Sequence, residues 1–243
     1  MINRLSKIAL LSTLFVLQAC SVMWNNGEVS TSIERPNKNS TNLAVNISED
    51  LYGEGESGDQ FPGIIVPAHP KVNEFVNEIS KHDKRYFRDA LNRRNKLTST
   101  LESIFAKHGL PRELINVAYV ESSFKPDAIG YGGRGLWQLS EATARKYGLV
   151  VSKDRDERFS VEKSTEAAAR HLKDLYNMYG DWYLVLAAYN SGHNRIQQAI
   201  KQTGTNNFFD LADSNAISKT TQKFIPKFLA YTLLMRDHQE KEQ

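Results

Sequence analysis

From residue 67 onward, apolar positions recur with the spacing of a helix surface; before it they do not. Val72, Phe75, Val76 and Ile79 fall at steps of one, three and four, as do Leu97, Leu101, Ile104 and Phe105, and the second stretch closes at Gly109. A further stripe runs through Val161, Ala168, Leu172, Leu175, Tyr176 and Tyr179. Ser160 before it suits an N-cap, and Gly180 after it suits a C-terminal stop. Asp181 then suits the N-cap of DWYLVLAAYN, which ends before Gly192. Phe228, Leu229, Leu233 and Leu234 form the stripe of a last helix expected to start near Pro226. No Asn-Gly or similar signal joins alternating runs into a hairpin. The pattern predicts an all-α domain over residues 67–243 with no internal repeat.

Upstream the pattern dissolves. Residues 20–66 are rich in Asn, Ser, Gly and Glu, with Gly53-Glu-Gly-Glu-Ser-Gly58 the most loop-like piece, and read as a flexible tether. At the very start, Arg4 and Lys7 precede an apolar run from Ile8 to Leu17, of a length that suits the core of a secretory signal and is too short to cross a bilayer. Residues 1–19 are therefore expected to be an export signal. The chain's single cysteine, Cys20, excludes an intrachain disulfide. It directly follows Leu17-Gln18-Ala19, and the tetrapeptide resembles the bacterial lipobox. That resemblance implies cleavage before Cys20 and acylation of it, with several acyl chains giving a stable membrane anchor. Ser21 rather than an aspartate implies the outer membrane, with the domain facing the periplasm.

Charge changes this picture little. Lys and Arg number 31 against 28 Asp and Glu among 243 residues, a net charge of +3, and two of the basic residues lie in the leader. Such a balance does not argue for nucleic acid. At 40% hydrophobic and 24% charged, the composition is that of a globular protein.

The candidate chemistry lies in VAYVESSF, residues 117–124. A helix opening at Pro111, with Glu113 in its first turn, carries Leu114, Val117, Ala118 and Glu121 at i, i+3, i+4 and i+7. The core-facing stripe thus runs into a carboxylate. Desolvation disfavours its charged form and raises its pKa, so it can hold a proton near neutral pH and give it to a leaving group. Two other readings stand beside this one. A glutamate at a helix end can turn to solvent or pair with an arginine, and Val117 with Val120 also permits a strand.

Two other patterns fail. Gly130-Tyr-Gly-Gly-Arg-Gly135 spells a dinucleotide fingerprint, but ten residues separate it from Val120 and no βαβ pattern surrounds it. The six histidines form no paired spacing, so no metal is expected.

Three segments in order, VESSFKP, GRGLWQL and LAAYNSGHNR, resemble the motifs of family 1 lytic transglycosylases. The stretch between the last two is most similar to the D branch of that family. The resemblance covers roughly residues 97–236. It implies a goose-type lysozyme-like helical domain with a glycan groove, peptidoglycan strands as the partner, and no cofactor. Glu121 matches the catalytic acid and base. Ser122, Gln138, Tyr189 and Asn190 match residues that bind the glycan. Most glycosidases use two carboxylates, and no second one here belongs to a recognisable motif: Asp181 reads as a cap, and Asp127 and Glu141 lie in loop-like stretches. The implied reaction uses the substrate instead. The MurNAc C6 hydroxyl closes onto C1 to give a 1,6-anhydro sugar.

The sequence departs from the family in two places. Ser140 stands where proline is frequent. The last motif, usually E-T-x-x-Y-V-P-K, reads Thr220-Thr-Gln-Lys-Phe-Ile-Pro-Lys227, without the acid and the tyrosine hydroxyl. Two alternatives follow from the same residues: a hydrolytic muramidase of this fold, and a wall-binding lipoprotein without activity.

Overall fold

A computed structural model describes residues 61–242. The leader, Cys20 and the tether up to residue 60 lie outside the described residues. Among the described residues nine α-helices follow one another: α1 Pro70–Lys81, α2 Lys84–Lys107, α3 Val117–Ser122, α4 Glu141–Lys146, α5 Val161–Tyr179, α6 Trp182–Ser191, α7 His193–Thr203, α8 Phe208–Asp213 and α9 Lys219–Glu242. Short 3₁₀ turns at Arg112–Asn116 and Glu157–Phe159 complete the list. Among the described residues β-pairing is limited to three isolated bridges, two of them in the loop between α3 and α4.

Helix α6 is the axis of the domain. Trp182, Leu184, Val185, Leu186, Ala187 and Ala188 are all buried, so the helix is apolar nearly all round, as a helix packed on several sides must be. It packs against α5, α7, α8 and α9, while α1 lies along α9 and α2 along α5. The predicted caps operate. Ser160 Oγ accepts from Lys163 N at 3.3 Å, and Asp181 Oδ1 accepts from Leu184 N at 2.9 Å. Gly180 ends α5 with φ 64°, a left-handed value that favours glycine.

Four expectations are corrected. The last helix starts at Lys219, not near Pro226. Ser218 caps it by accepting from Thr221 N at 3.2 Å, and Thr221, Phe224 and Ile225 bury its first turns, which outweighs the one N–H that Pro226 lacks. The helix expected from Pro111 is divided, opening as a 3₁₀ turn before six residues of α-helix. The folded domain also begins before residue 67. Ile64 and Val66 are buried, the Phe61 ring sits 4.9 Å from Tyr176, and the Pro62 and Ile65 carbonyls accept from Trp182 Nε1 at 2.8 Å and Tyr183 Oη at 2.6 Å. The polar, glycine-rich composition ends a few residues earlier than the assigned boundary. Glu141, read as loop, opens α4 behind Ser140, whose Oγ accepts from Thr143 N at 3.1 Å. A serine cap thus stands where the family often has proline.

Candidate active site

Glu121 is placed by a helix that stops abruptly. Ser123 and Phe124 follow with φ of 56° and 59°, left-handed values that side chains other than glycine rarely adopt. Their N–H groups return to the carbonyls of Tyr119 and Ala118 at 2.8 and 3.1 Å. The turn is held from outside. Arg93 Nε on α2 donates to the Ser123 carbonyl at 2.8 Å, Tyr86 and Ser123 hydroxyls are paired, and Phe124 is wholly buried. From the other side, Tyr119 stacks on Tyr231 of α9 with ring centroids 3.7 Å apart, and Asn116 Nδ2 donates to Thr232 Oγ1 at 3.1 Å. Two strained residues, costing about 1–3 kcal/mol each, thus fix the carboxyl at the end of α3.

The expected stripe exists: Leu114, Val117 and Ala118 are fully buried and Glu121 continues it, half-buried. It opens into a cleft of about 470 Å³. Val120 and Glu121 contribute from α3, Asn190 from α6 and Phe75 from α1; the rest is α9, through Lys219, Thr220, Lys223, Phe224 and Lys227. Among the described residues no group hydrogen-bonds to the Glu121 carboxyl. Burial alone pushes it from its ordinary 4.5 up to about 8. At neutral pH the group is a neutral acid facing a partly apolar cleft.

The other predicted site residues occupy two positions relative to that cleft. Asn190 lines it. Its Oδ1 accepts from Thr221 Oγ1 at 3.0 Å, and its amide nitrogen has no hydrogen-bond acceptor among the described residues. Ser122, Gln138 and Tyr189 stand behind it. Ser122 Oγ donates to the Leu136 carbonyl at 2.7 Å and accepts from Lys125 N at 3.1 Å, tying α3 to the following loop. Gln138 has φ 48°, and its Nε2 donates to the carbonyls of Gly135 at 2.8 Å and Ala128 at 3.2 Å. Tyr189 Oη donates to the Trp137 carbonyl at 2.8 Å; burial, and then the proximity of Glu121, push its hydroxyl well above the usual tyrosine range.

The glycines between these residues serve the same loop. At Gly133 a Cβ would collide with the Gln138 backbone, and at Gly135, with φ 76°, it would collide with the Arg158 carbonyl. The literal dinucleotide fingerprint is a close-packed turn. Trp137 is core: fully buried, stacked on Phe105 at 5.4 Å, its Nε1 donating to Thr165 Oγ1 at 2.8 Å.

Sequence reasoning missed the wall formed by α9. Its signal was present, three lysines at i, i+4 and i+8, but nothing in the sequence said that this face meets α3. Two of the positions noted as departures, Thr220 and Phe224, lie in that wall.

A family model described as the transglycosylase SLT domain matches residues 102–211. Membrane-bound lytic murein transglycosylase D of Escherichia coli strain K12 is 31% identical over 174 residues, which is 71% of this chain and 38% of that protein. The protein of the same name from Escherichia coli O6:H1 matches to the same extent. The chain thus spans well under half the length of these relatives. Among solved structures, an inactive variant of lytic transglycosylase Slt from Pseudomonas aeruginosa superposes with a TM-score of 0.50 at 24% identity, covering 59% of this chain and 24% of that one. That likeness is one of fold: the helical, lysozyme-like domain expected from the sequence.

Proposed function

The chain belongs to the transglycosylase SLT family through residues 102–211, and from that premise we propose that it is a lytic transglycosylase that cuts peptidoglycan between MurNAc and GlcNAc. The observation that carries the reading is Glu121, a desolvated carboxyl with a pKa near 8 and the one acidic residue lining its cleft.

The steps follow from one carboxyl acting twice. Protonated Glu121 gives its proton to the bridging oxygen as the C1–O bond breaks. The 2-acetamido carbonyl of MurNAc stabilises the positive anomeric carbon. Glu121, now a carboxylate, takes the proton of the C6 hydroxyl as O6 bonds to C1. Glu121 ends protonated, no water is consumed, and the product is a 1,6-anhydro sugar. General acid–base help of this kind contributes roughly 10²- to 10⁴-fold, and an aligned internal hydroxyl has an effective molarity of about 10⁵–10⁸ M, which favours ring closure over attack by water. Asn190 is the donor for the sugar. Ser122, Gln138 and Tyr189 position the walls through the loop that they brace.

The same reading places the enzyme on the periplasmic side of the outer membrane, anchored through lipid on Cys20. The support is the leader and lipobox pattern, together with the relatives' membrane-bound names. No helix among the described residues is long and apolar enough to cross a membrane.

Purified sacculi test the chemistry. Glu121→Gln is expected to keep binding them and to lower release of soluble muropeptides by about 10²-fold or more; undiminished release would reject the assignment. The wild-type product should be one water lighter than a hydrolytic product, and a product without that loss identifies a muramidase instead.

A further inference from the structure

Lys219, Lys223 and Lys227 stand one helical turn apart on α9, and all three line the cleft that holds Glu121. Among the described residues none of them forms an ion pair. Lys219 Nζ donates to the side-chain oxygens of Asn215 at 2.5 Å and Gln222 at 3.3 Å, and Lys227 Nζ lies 5.8 Å from the Tyr119 ring centre. Lys223 is exposed. The only acid in the lining is Glu121, which burial keeps protonated at neutral pH. The cleft therefore holds three positive charges with no counter-charge in its walls, in a protein whose overall charges nearly balance. Thr220 sharpens the contrast, because the related motif carries an acid there and this chain does not. An unbalanced row of ammonium groups beside a reaction centre calls for anions on the substrate.

Resting on the transglycosylase reading, we propose that the Lys219–Lys223–Lys227 row is a carboxylate-binding subsite for the acidic groups that murein carries beside the scissile bond. The glycan backbone of peptide-bearing murein is itself uncharged. Its negative charge lies in the carboxylates of the peptide stems, or in the lactyl carboxylate where a stem has been removed. Glu121 protonates the glycosidic oxygen while the row holds the side branch, so the row sets which strands are accepted.

Co-sedimentation of the full-length Glu121→Gln protein tests this without turnover. Three polymers serve as probes: untreated sacculi, sacculi whose carboxyl groups have been converted to methylamides, and amidase-stripped strands that keep only lactyl carboxylates, coupled by their reducing ends to beads so that they sediment. Affinity should fall roughly five-fold for each lysine engaged, the upper end for a solvent-exposed ion pair, between the first probe and the second. Adding Lys223→Met should shrink that ratio, and Lys223→Arg should restore it. Equal binding of the untreated and methylamide polymers overturns the proposal, as does a ratio that survives in a Lys219→Met, Lys223→Met, Lys227→Met protein. Both results for the stripped strands support a carboxylate site: binding like untreated sacculi assigns the lactyl group, and binding like the methylamide polymer assigns the stems. Wild-type protein that releases anhydro products without discriminating between the polymers removes this subsite alone. A discriminating protein that releases none removes the transglycosylase reading and leaves the subsite standing.

Discussion

Glu121 carries two opposite consequences of one burial. A carboxyl raised from 4.5 to about 8 stays protonated in the folded protein while the unfolded chain releases its proton. Folding therefore loses stability as pH rises from about 4.5 to about 8, by at most about 1.4 kcal/mol per pH unit, and no further above that. Glu121→Gln should accordingly raise the melting temperature at pH 7–8 and leave it nearly unchanged near pH 4.5, as scanning calorimetry can check. Activity has the opposite stake: release of muropeptides should fall as pH passes through about 8, because the acid has then lost its proton. Tyr189→Phe removes the 2.8 Å bond to the Trp137 carbonyl while keeping the ring. It should cost about 1 kcal/mol in stability by urea titration and slow turnover more than it weakens binding. Glu121 was legible in the sequence because i+7 on an otherwise apolar stripe is a local pattern. The lysine row was not, because its meaning depends on contact between α3 and α9, some hundred residues apart.

Helices were legible where one face is buried and both ends are capped locally: α5, from Ser160 to Gly180, has both. The start of α9 was not, since Pro226 is the conspicuous punctuation and Ser218 the operative cap. The loop from Ala128 to Leu139 shows the converse. Its glycines were visible, but their purpose, close approach to Gln138 and Arg158, is a tertiary matter. Gly135→Ala must add a methyl group against the Arg158 carbonyl at positive φ. It should destabilise by about 2 kcal/mol or more in denaturant titration, and reduce activity through the loop that Ser122 and Gln138 brace.

For the molecule as a whole, burial outside the cleft sets the domain boundary and contributes to the acid response. His171 lies between the Tyr147 hydroxyl, 3.2 Å from its Nδ1, and the Tyr189 ring, 5.2 Å away. Burial, assisted by the charge of Lys146, lowers its pKa from 6.5 to about 4. The unfolded chain then binds the extra proton between those values, so this histidine removes stability as pH falls from about 6.5 to about 4. His171→Gln should flatten that part of the stability curve. A protein beginning at residue 67 loses the buried Ile64 and Val66 and should melt lower than one beginning at residue 61, by about 1.5–3 kcal/mol per side chain at most. Trp182 and Tyr183, which grip the Pro62 and Ile65 carbonyls, open α6, and Asn190 lies near its last residue, roughly 10 Å further along at 1.5 Å per residue. Under the proposed reading, a load from a membrane anchor would enter at one end of this stiff rod, and a murein strand would be held at the other. Tension between envelope and wall would run along α6 without prying open the cleft.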